Sequence, residues 1–477
     1  MFIGRERELR SLQNTYDRPG FGMIVIYGRR RIGKSTLIAR FITGKKAIFY
    51  TATKVGGGRN LELFAEQVTA VLEPELKGVS FPTPESIFDL ISRKLTDEKL
   101  ILVIDELPFW AQYDEALLSV LQKYIDTQWL NRNLMIILCG SSLSFMESRV
   151  LSEKSPLFGR RTSQIRLDAF NYRESALFVS RYSNEEKALC YGITGGTARY
   201  LALIDDTKSL DDNIIRLFFS TDGYLYDETR NLLAQEFTDI TLVNNIIEQI
   251  ASGENTVNAI AGKVHEKEPT VLYSLEKLIH VGLVERRKCI TEESNRKKTQ
   301  YVLRDHMFKF WYTFIPKAHS VIEIGQGARY YEFVVKPQLH SFMGGVFEEM
   351  CRFYTLEKGT QGRFGSFLTE VGSWWGKETF VDSDGNRRHQ SADIDVVGIS
   401  EIDGTAVIGE CKFRRARIDK GVYDTLVRRS GLLSGKYRII RYLLFSLSGY
   451  TEWFDLLDAP GTLLLSLEDL YADDLCT

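Results

Sequence analysis

The sequence predicts an α/β protein: a parallel-sheet domain with a helical lid, then a winged helix, then a second α/β domain. Three observations predict it. Four short apolar runs alternate with helical patterns, as a parallel sheet buried on both faces requires. Three further helical patterns end in two short strands around a polar turn. Near the C-terminus two strand patterns flank Ile402-Asp403-Gly404, the signature of a β-hairpin.

Length and composition set the frame. At about 150 residues per domain, 477 residues imply about three domains. Apolar residues are 44% and charged residues 26%, a balance that excludes a mostly disordered chain. Lys plus Arg is 61 against 63 Asp plus Glu, a net charge of -2, so any polyanion binding must come from local patches. Cys139, Cys190, Cys289, Cys351, Cys411 and Cys476 form no CxxC pair and read as reduced intracellular thiols. No apolar run approaches roughly 18 residues. Charges occupy the N-terminus where a secretory leader needs its apolar run. The expectation is a cytoplasmic protein with no membrane span. The six histidines form no paired ligand set, so no zinc site is expected.

The elements follow in order. Residues 1–165 carry the four runs. Met23-Ile24-Val25-Ile26-Tyr27 stops at Gly28, and a second run covers 47–50. The third, 100–104, ends at Asp105, and the fourth, 134–139, ends at Gly140. Helical patterns such as 61–72 and 116–124 separate them. Between 166 and 235 helical patterns take over, at 172–182 and 213–219, interrupted by Gly192, Gly195 and Gly196; this reads as the lid. Residues 236–320 hold helical patterns at 242–250, after a Thr256 cap, and at 270–279, then strands at 283–287 and 300–303. Phe308, Phe310, Trp311, Tyr312 and Phe314 read as a packing element between wing and tail. Residues 330–470 form the tail, with a helix around Glu348, strands at 393–398 and 406–412, and another at 437–446.

Gly28-Arg29-Arg30-Arg31-Ile32-Gly33-Lys34-Ser35 matches GxxxxGK[ST] between a strand and a helical pattern that opens at Thr36. Backbone N–H groups of such a loop cradle a β-phosphate. Lys34 is expected to reach the β and γ oxygens, and Ser35 to ligate magnesium. Asp105 ends an apolar strand at its carboxyl edge, where ligands bind in such sheets; it is expected to orient magnesium, and Glu106 to activate the attacking water. Several residues keep two readings. Ser141 contacts the γ-phosphate or the water, or caps a helix. Arg160 or Arg161 is a finger that stabilises transition-state charge, in cis or from a neighbouring subunit, or both are a surface pair. Arg29, Arg30 and Arg31 bind phosphate or form a solvated face. Arg199 reads the nucleotide from the lid, or does not.

These stretches, with Phe2-Ile3-Gly4-Arg5-Glu6, Pro156-Leu157-Phe158-Gly159-Arg160-Arg161 and Gly195-Gly196-Thr197-Ala198-Arg199-Tyr200, resemble the archaeal-type ATPase family, a branch of the AAA+ and STAND P-loop NTPases. The resemblance implies ATP and Mg2+ as cofactors and places Ile3, Gly4 and Arg5 near the adenine. The family usually has a proline where this chain has Ala198, and that proline packs near the nucleotide. The substitution bears on lid closure.

In the winged helix, Tyr273, Ser274 and Lys277 are the polar positions of the third helix. The wing offers Arg286, Arg287, Lys288, Arg296, Lys297 and Lys298 to backbone phosphates. Glu266, Glu268, Glu276, Glu292 and Glu293 lie among them, so a structural arm is the competing reading.

In the tail, Glu410 and Lys412 are two residues apart and share a strand face, which a hairpin lets Asp395 approach. Two carboxylates suit Mg2+ and the lysine suits a water. Glu348 is a third candidate ligand, and Asp393 a further ligand or supporting acid. Trp374 and Trp375 stack on a base or belong to the core. Gly345-Val346-Phe347-Glu348, Asp395 and Glu410-Cys411-Lys412 resemble the PD-(D/E)XK nuclease fold, a restriction-endonuclease-like α/β domain, as in the DUF234-type tail that commonly follows this ATPase. The resemblance implies a Mg2+ or Mn2+ site, double-stranded DNA as partner, and His389 and Gln390 as auxiliaries. The functional expectation is an ATP-hydrolysing protein coupled to a DNA-binding or DNA-cleaving tail. Two alternatives stay open: a nucleotide-gated regulator or scaffold with a catalytically inactive tail, and a nuclease that ATP only regulates. A finger acting in trans would imply a homo-oligomer.

Overall fold

Strands β1 (Gly22–Tyr27), β2 (Ala47–Thr51), β3 (Leu100–Asp105), β4 (Leu134–Gly140) and β5 (Ser163–Arg166) form one parallel sheet in the order β2-β3-β4-β1-β5. The computed structural model describes residues 2–237, 239–292, 298–381 and 387–472. Every residue of β1, β3 and β4 is buried, which explains why they read as unbroken apolar runs. The period of two divides them between two cores. Met23, Val25, Leu102, Ile104 and Ile136 pack with Phe64, Phe88 and Trp110. Ile24, Ile26, Val103 and Ile137 pack with Leu12 and with Leu37, Ile38 and Phe41 of the helix Lys34–Ile42. Strand β5 is missing from the sequence reading: in Ser163-Gln164-Ile165-Arg166 only Ile165 is buried, so this edge strand makes no apolar run.

The chain divides into two compact units. One is Met1–Phe170 with Thr197–Leu203; the other is Asn171–Gly196 with the chain from Ile204 onward. The stretch read as one lid is thus shared between them. Its helix Asn184–Thr194 starts at a capping box on Ser183 and stops at Gly195, whose φ of 62° suits a left-handed C-cap.

In the second unit the helices Ile240–Ala251, Val257–Val264 and Glu268–His280 precede the antiparallel pair β6 (Val284–Arg287) and β7 (Gln300–Leu303). This is the expected winged helix, with Thr256 capping the second helix. The aromatic stretch that follows lies in the helix His306–Glu323 and is buried. Phe310 meets Phe218 edge-on at 4.9 Å and Phe342 at 5.5 Å.

The tail sheet is mixed, in the order β12-β11-β10-β9-β8. Its strands are β8 (Glu370–Val381), β9 (Arg387–Ser400), β10 (Thr405–Lys412), β11 (Arg438–Ser446) and β12 (Thr462–Ser466). Strands β9 and β10 are the expected hairpin, paired from Ser400–Thr405 to Val396–Gly409. The helix Gly344–Thr360 packs across β8, β9 and β10.

The wing is fastened to this sheet. Cys289 and Ile290 share a core with Trp374, Ile394 and Leu444, and the Ile290 N–H donates to Ser373 O at 3.2 Å. Lys298 Nζ donates to Trp375 O at 3.1 Å and to Glu292. Arg286 pairs with Glu276, and Arg287 with Glu285 at 3.3 Å. Trp374 is a core residue, 7% exposed. In the third helix Ser274 is buried, against the expectation of a surface position, while Tyr273 is 64% exposed with Lys277 above its ring. Glu293, Arg296, Lys297 and Cys476 lie outside the described residues. Because Ile290 fills a core and Tyr273 does not, Ile290→Ala should cost about 2–5 kcal/mol of stability in a denaturant melt. Tyr273→Ala should shift it by less than about 0.5 kcal/mol.

Candidate functional site

The loop after β1 is shaped by two glycines. Gly28 has φ 151°, and a Cβ there would fall 2.2 Å from Leu167 O. Gly33, at φ 92°, opens the helix that begins with Lys34. Ile32 is buried, whereas Ser35 and Thr36 face solvent. Lys34 is 6% exposed, and its Nζ donates to Gly28 O and Arg29 O, both at 2.9 Å. Burial pushes its pKa down, while Cys139, Glu106 and Asp105 pull it up.

Asp105, buried at the end of β3, closes the other side. Its Oδ2 accepts from Ser35 Oγ at 2.6 Å and its Oδ1 from the Glu106 N–H at 2.9 Å. The hydroxyl and the carboxylate expected to serve magnesium are thus already together. Glu106 has a left-handed φ of 50°, a conformation that costs about 1–3 kcal/mol outside glycine and recurs at functional sites. Its Oε2 accepts from Ser141 Oγ at 2.7 Å and from Ser141 N at 3.2 Å. Ser141 follows β4, the neighbour of β3, and the structure gives it this role rather than that of a helix cap.

The N-terminal segment is bound to the loop. Arg5 is 6% exposed; its Nη2 donates to Ile32 O at 3.3 Å and Asp168 O at 2.6 Å, and it stacks 4.0 Å from the Phe170 ring centre. Gly4 and Arg5 both have positive φ, and Ile3 is half-buried. The Arg199 N–H donates to Arg31 O at 3.0 Å, so it is the backbone of the Ala198–Leu201 helix that meets the loop. Arg31 has φ 70°, and Arg30 lies 5.6 Å from the Phe109 ring centre.

The arginine pair divides. Arg160 forks onto Asp126 with Nε–Oδ1 and Nη2–Oδ2 both at 2.7 Å, and its Nη1 donates to Pro156 O and Phe158 O. All three nitrogens are held within its own unit, so of the two readings of Arg160 the described contacts are those of a surface pair. Arg161 donates through Nη1 to Leu151 O at 2.9 Å.

In the tail, the two ladders of β9 both lose hold at Asp395. Against β8, Gly372 pairs with Val397 and Trp374 with Ile394, so Val396 and Asp395 of β9 oppose the single Ser373 of β8. Against β10, pairing ends at Val396–Gly409. Asp395 Oδ2 accepts from the Cys411 N–H at 2.9 Å. Burial, then Glu410 and Glu348, push its carboxyl up to about 8. Glu410 pairs with Lys412. Burial works to lower the Lys412 ammonium, and Glu410 and Asp395 outweigh it, leaving it raised. Glu348 pairs with Arg352 at 3.4 Å. Among the described residues no three His, Cys, Asp or Glu side chains are gathered as a metal-holding group. Glu348 is turned to Arg352 and Glu410 to Lys412, while both carboxylates act on Asp395 through space. Asp395 and Glu410 still fit Mg2+ or Mn2+, since Mg2+ takes one or two carboxylates and completes its shell with water.

The proposed auxiliaries lie elsewhere on the hairpin. His389 Nδ1 meets Thr379 Oγ1, and Gln390 donates to the buried Glu378, which Arg428 also grips at 3.0 Å. Asp393 Oδ1 accepts from Arg429 at 3.0 Å.

Sequence reasoning missed three residues here. Arg352, four positions after Glu348 on the same helix face, was legible as an i,i+4 pair. Lys309 was not, because it comes from the helix His306–Glu323. Its Nζ lies 3.2 Å from where a Cβ on Gly345 would sit, and burial pushes its pKa down against the pull of Glu348 and Glu349. Glu349 anchors the acid-bearing helix: its carboxylate meets His306 Nε2 at 3.0 Å and Tyr191 Oη at 3.2 Å. Burial works to raise its pKa, and His306, Arg352 and Tyr191 outweigh it, holding it at about 2.

Comparison with known proteins follows the same division. Residues 2–204 match a family described as an ATPase domain predominantly from Archaea, and residues 311–422 match DUF234, archaeal and bacterial proteins of unknown function. The chain is 30% identical over 438 residues to Uncharacterized protein MJECL04 of Methanocaldococcus jannaschii, covering 91% of this chain and 92% of that one. It is 41% identical over 46 residues to Uncharacterized ATP-binding protein MJ0423 of the same organism, 10% of this chain and 78% of that one. Among solved structures, the Walker-type ATPase PABY2304 of Pyrococcus abyssi is 18% identical, with a TM-score of 0.49, covering 65% of this chain and 96% of that one. No helix among the described residues is long and apolar enough to cross a membrane.

Asp395 binds its proton more tightly folded than unfolded, where an aspartate titrates near 3.9. The stability it contributes is therefore full below about pH 4 and is lost as pH rises towards about 8. Asp395→Asn, which keeps an acceptor for the Cys411 N–H, should leave the melting temperature unchanged at pH 4. At pH 8, in chelator, it should raise it.

Proposed function

The chain belongs to the family of MJECL04, an archaeal ATPase domain joined to a DUF234 segment, and on that premise we propose that it binds and hydrolyses ATP and couples this to a metal-dependent nuclease-like tail that acts on double-stranded DNA. The observation that carries the first half is the 2.6 Å bond between Ser35 Oγ and Asp105 Oδ2, with Glu106 next in sequence. The phosphate loop and the acid that ends β3 converge on one point.

On this reading Lys34 leaves the carbonyls of Gly28 and Arg29 for the β and γ oxygens, a stronger acceptor for a buried ammonium. Ser35 and Asp105 would hold Mg2+, which would supply positive charge to those oxygens. Glu106 orients the attacking water and takes its proton, which requires it to turn from Ser141. In the tail Asp395 and Glu410 would hold Mg2+ or Mn2+, which would supply a Lewis acid for a phosphodiester, and Lys412 would position the water. A switch with an inert tail is the second reading. The Glu410–Lys412 pair favours it, because it occupies one of the two acids.

Plasmid and linear DNA with Mg2+ or Mn2+, with and without ATP, separate the two. Nicking that Asp395→Ala abolishes supports the nuclease; ATP turnover without nicking supports the switch. In the first unit, Lys34→Ala should abolish nucleotide binding in calorimetry while leaving the melt intact. Glu106→Gln should bind ATP but lose at least about 100-fold in turnover. Retained affinity in the first variant, or retained turnover in the second, would overturn the assignment.

A further inference from the structure

Asp395 is the one acid of the tail site without a strand partner on either side: the ladder to β10 stops one residue short of it, and the ladder to β8 skips across it. A bulged residue in a sheet has its main-chain groups freed from the ladder and its side chain re-aimed. Its carbonyl must find another donor, since an unpaired buried backbone group costs as much as a lost hydrogen bond. Here the donor is Arg352, whose Nη1 reaches Asp395 O at 2.9 Å. The same Nη1 lies 3.4 Å from Glu348 Oε2, one helical turn away. The Arg352 side chain is 13% exposed, so the guanidinium is held in place by packing.

We propose that Arg352 is the positioning residue of the tail site, clamping the bulged backbone of Asp395 to the Glu348 carboxylate so that Asp395 presents its side chain to a divalent cation. The inference rests on the metal-site reading above and adds a residue to it. Arginine suits this place because its planar guanidinium holds the two N–H groups of Nη1 in one fixed plane, one toward each acceptor. The Cys411 N–H fixes the Asp395 carboxylate and Arg352 fixes its carbonyl, so the residue is held at both ends. Without Arg352 the bulge keeps only the first of these ties.

The test is Mn2+ binding to the full chain without nucleotide, followed by the paramagnetic resonance of free Mn2+, for the unsubstituted protein and for Arg352→Gln, Arg352→Lys and Asp395→Ala. Thermal melts in chelator show which variants fold. Loss of a residue that orients a ligand costs roughly 10–100-fold in metal affinity. Arg352→Gln is expected to weaken binding by that factor, and Arg352→Lys by less, because an ammonium keeps the charge and the donors but not the reach and plane of the guanidinium. Unchanged affinity in every Arg352 variant that melts cooperatively, beside loss in Asp395→Ala, overturns the clamp and leaves the metal site standing. Equal binding by the unsubstituted protein and Asp395→Ala, or none by either, overturns both.

Discussion

A buried carboxylate at the carboxyl end of a parallel strand is the constraint on which the first unit depends. Asp105 closes β3 with both oxygens engaged, one by Ser35 and one by the Glu106 amide. An acid in that position is tolerable only with donors aimed at it. Those donors are placed by the sheet: β4 lies between β1 and β3, so the loops after all three strands open on one edge. The left-handed turn at Glu106 lies at that edge, and Gly28 must be glycine there because Leu167, just after β5, and Ile32 press on it.

The tail meets a similar demand by another route. Its sheet is mixed, and the acid is exposed by letting a strand part from its neighbours rather than by letting it end. Asp395 sits where β9 is bulged against β8 and has run past its pairing with β10. Two cations of the same domain, Lys412 and Arg352, each attend one of the other acids. Burial and the two neighbouring carboxylates hold the Asp395 carboxyl well above the usual carboxylate range.

Most of the ATPase half was legible because its signals are local. An apolar run followed by a glycine loop, and another ending in two acids, report their own geometry through burial and chain direction. The edge strand β5 was illegible because it is half exposed and four residues long. The partner of Arg160 was illegible because a motif states which residue stands at a position but not what its guanidinium meets, and here it meets Asp126. The wing kept two readings, a phosphate-binding surface and a structural arm, and its apolar Cys289 and Ile290 and its Lys298 are joined to the tail sheet.

The sequence by itself determined most of the elements, the phosphate loop, the acid that ends β3 and the acids of the hairpin, because spacing along one chain settles which residues share a face or end a strand. Only the tertiary structure decided which partners those residues hold. Ser141 turning Glu106, Arg352 clamping Asp395, Lys309 approaching Glu348 and the lid dividing at Gly196–Thr197 join segments far apart in sequence or depend on a bulge. The physical reason is that a side chain's partner is chosen by packing in three dimensions, and no period along the chain encodes it.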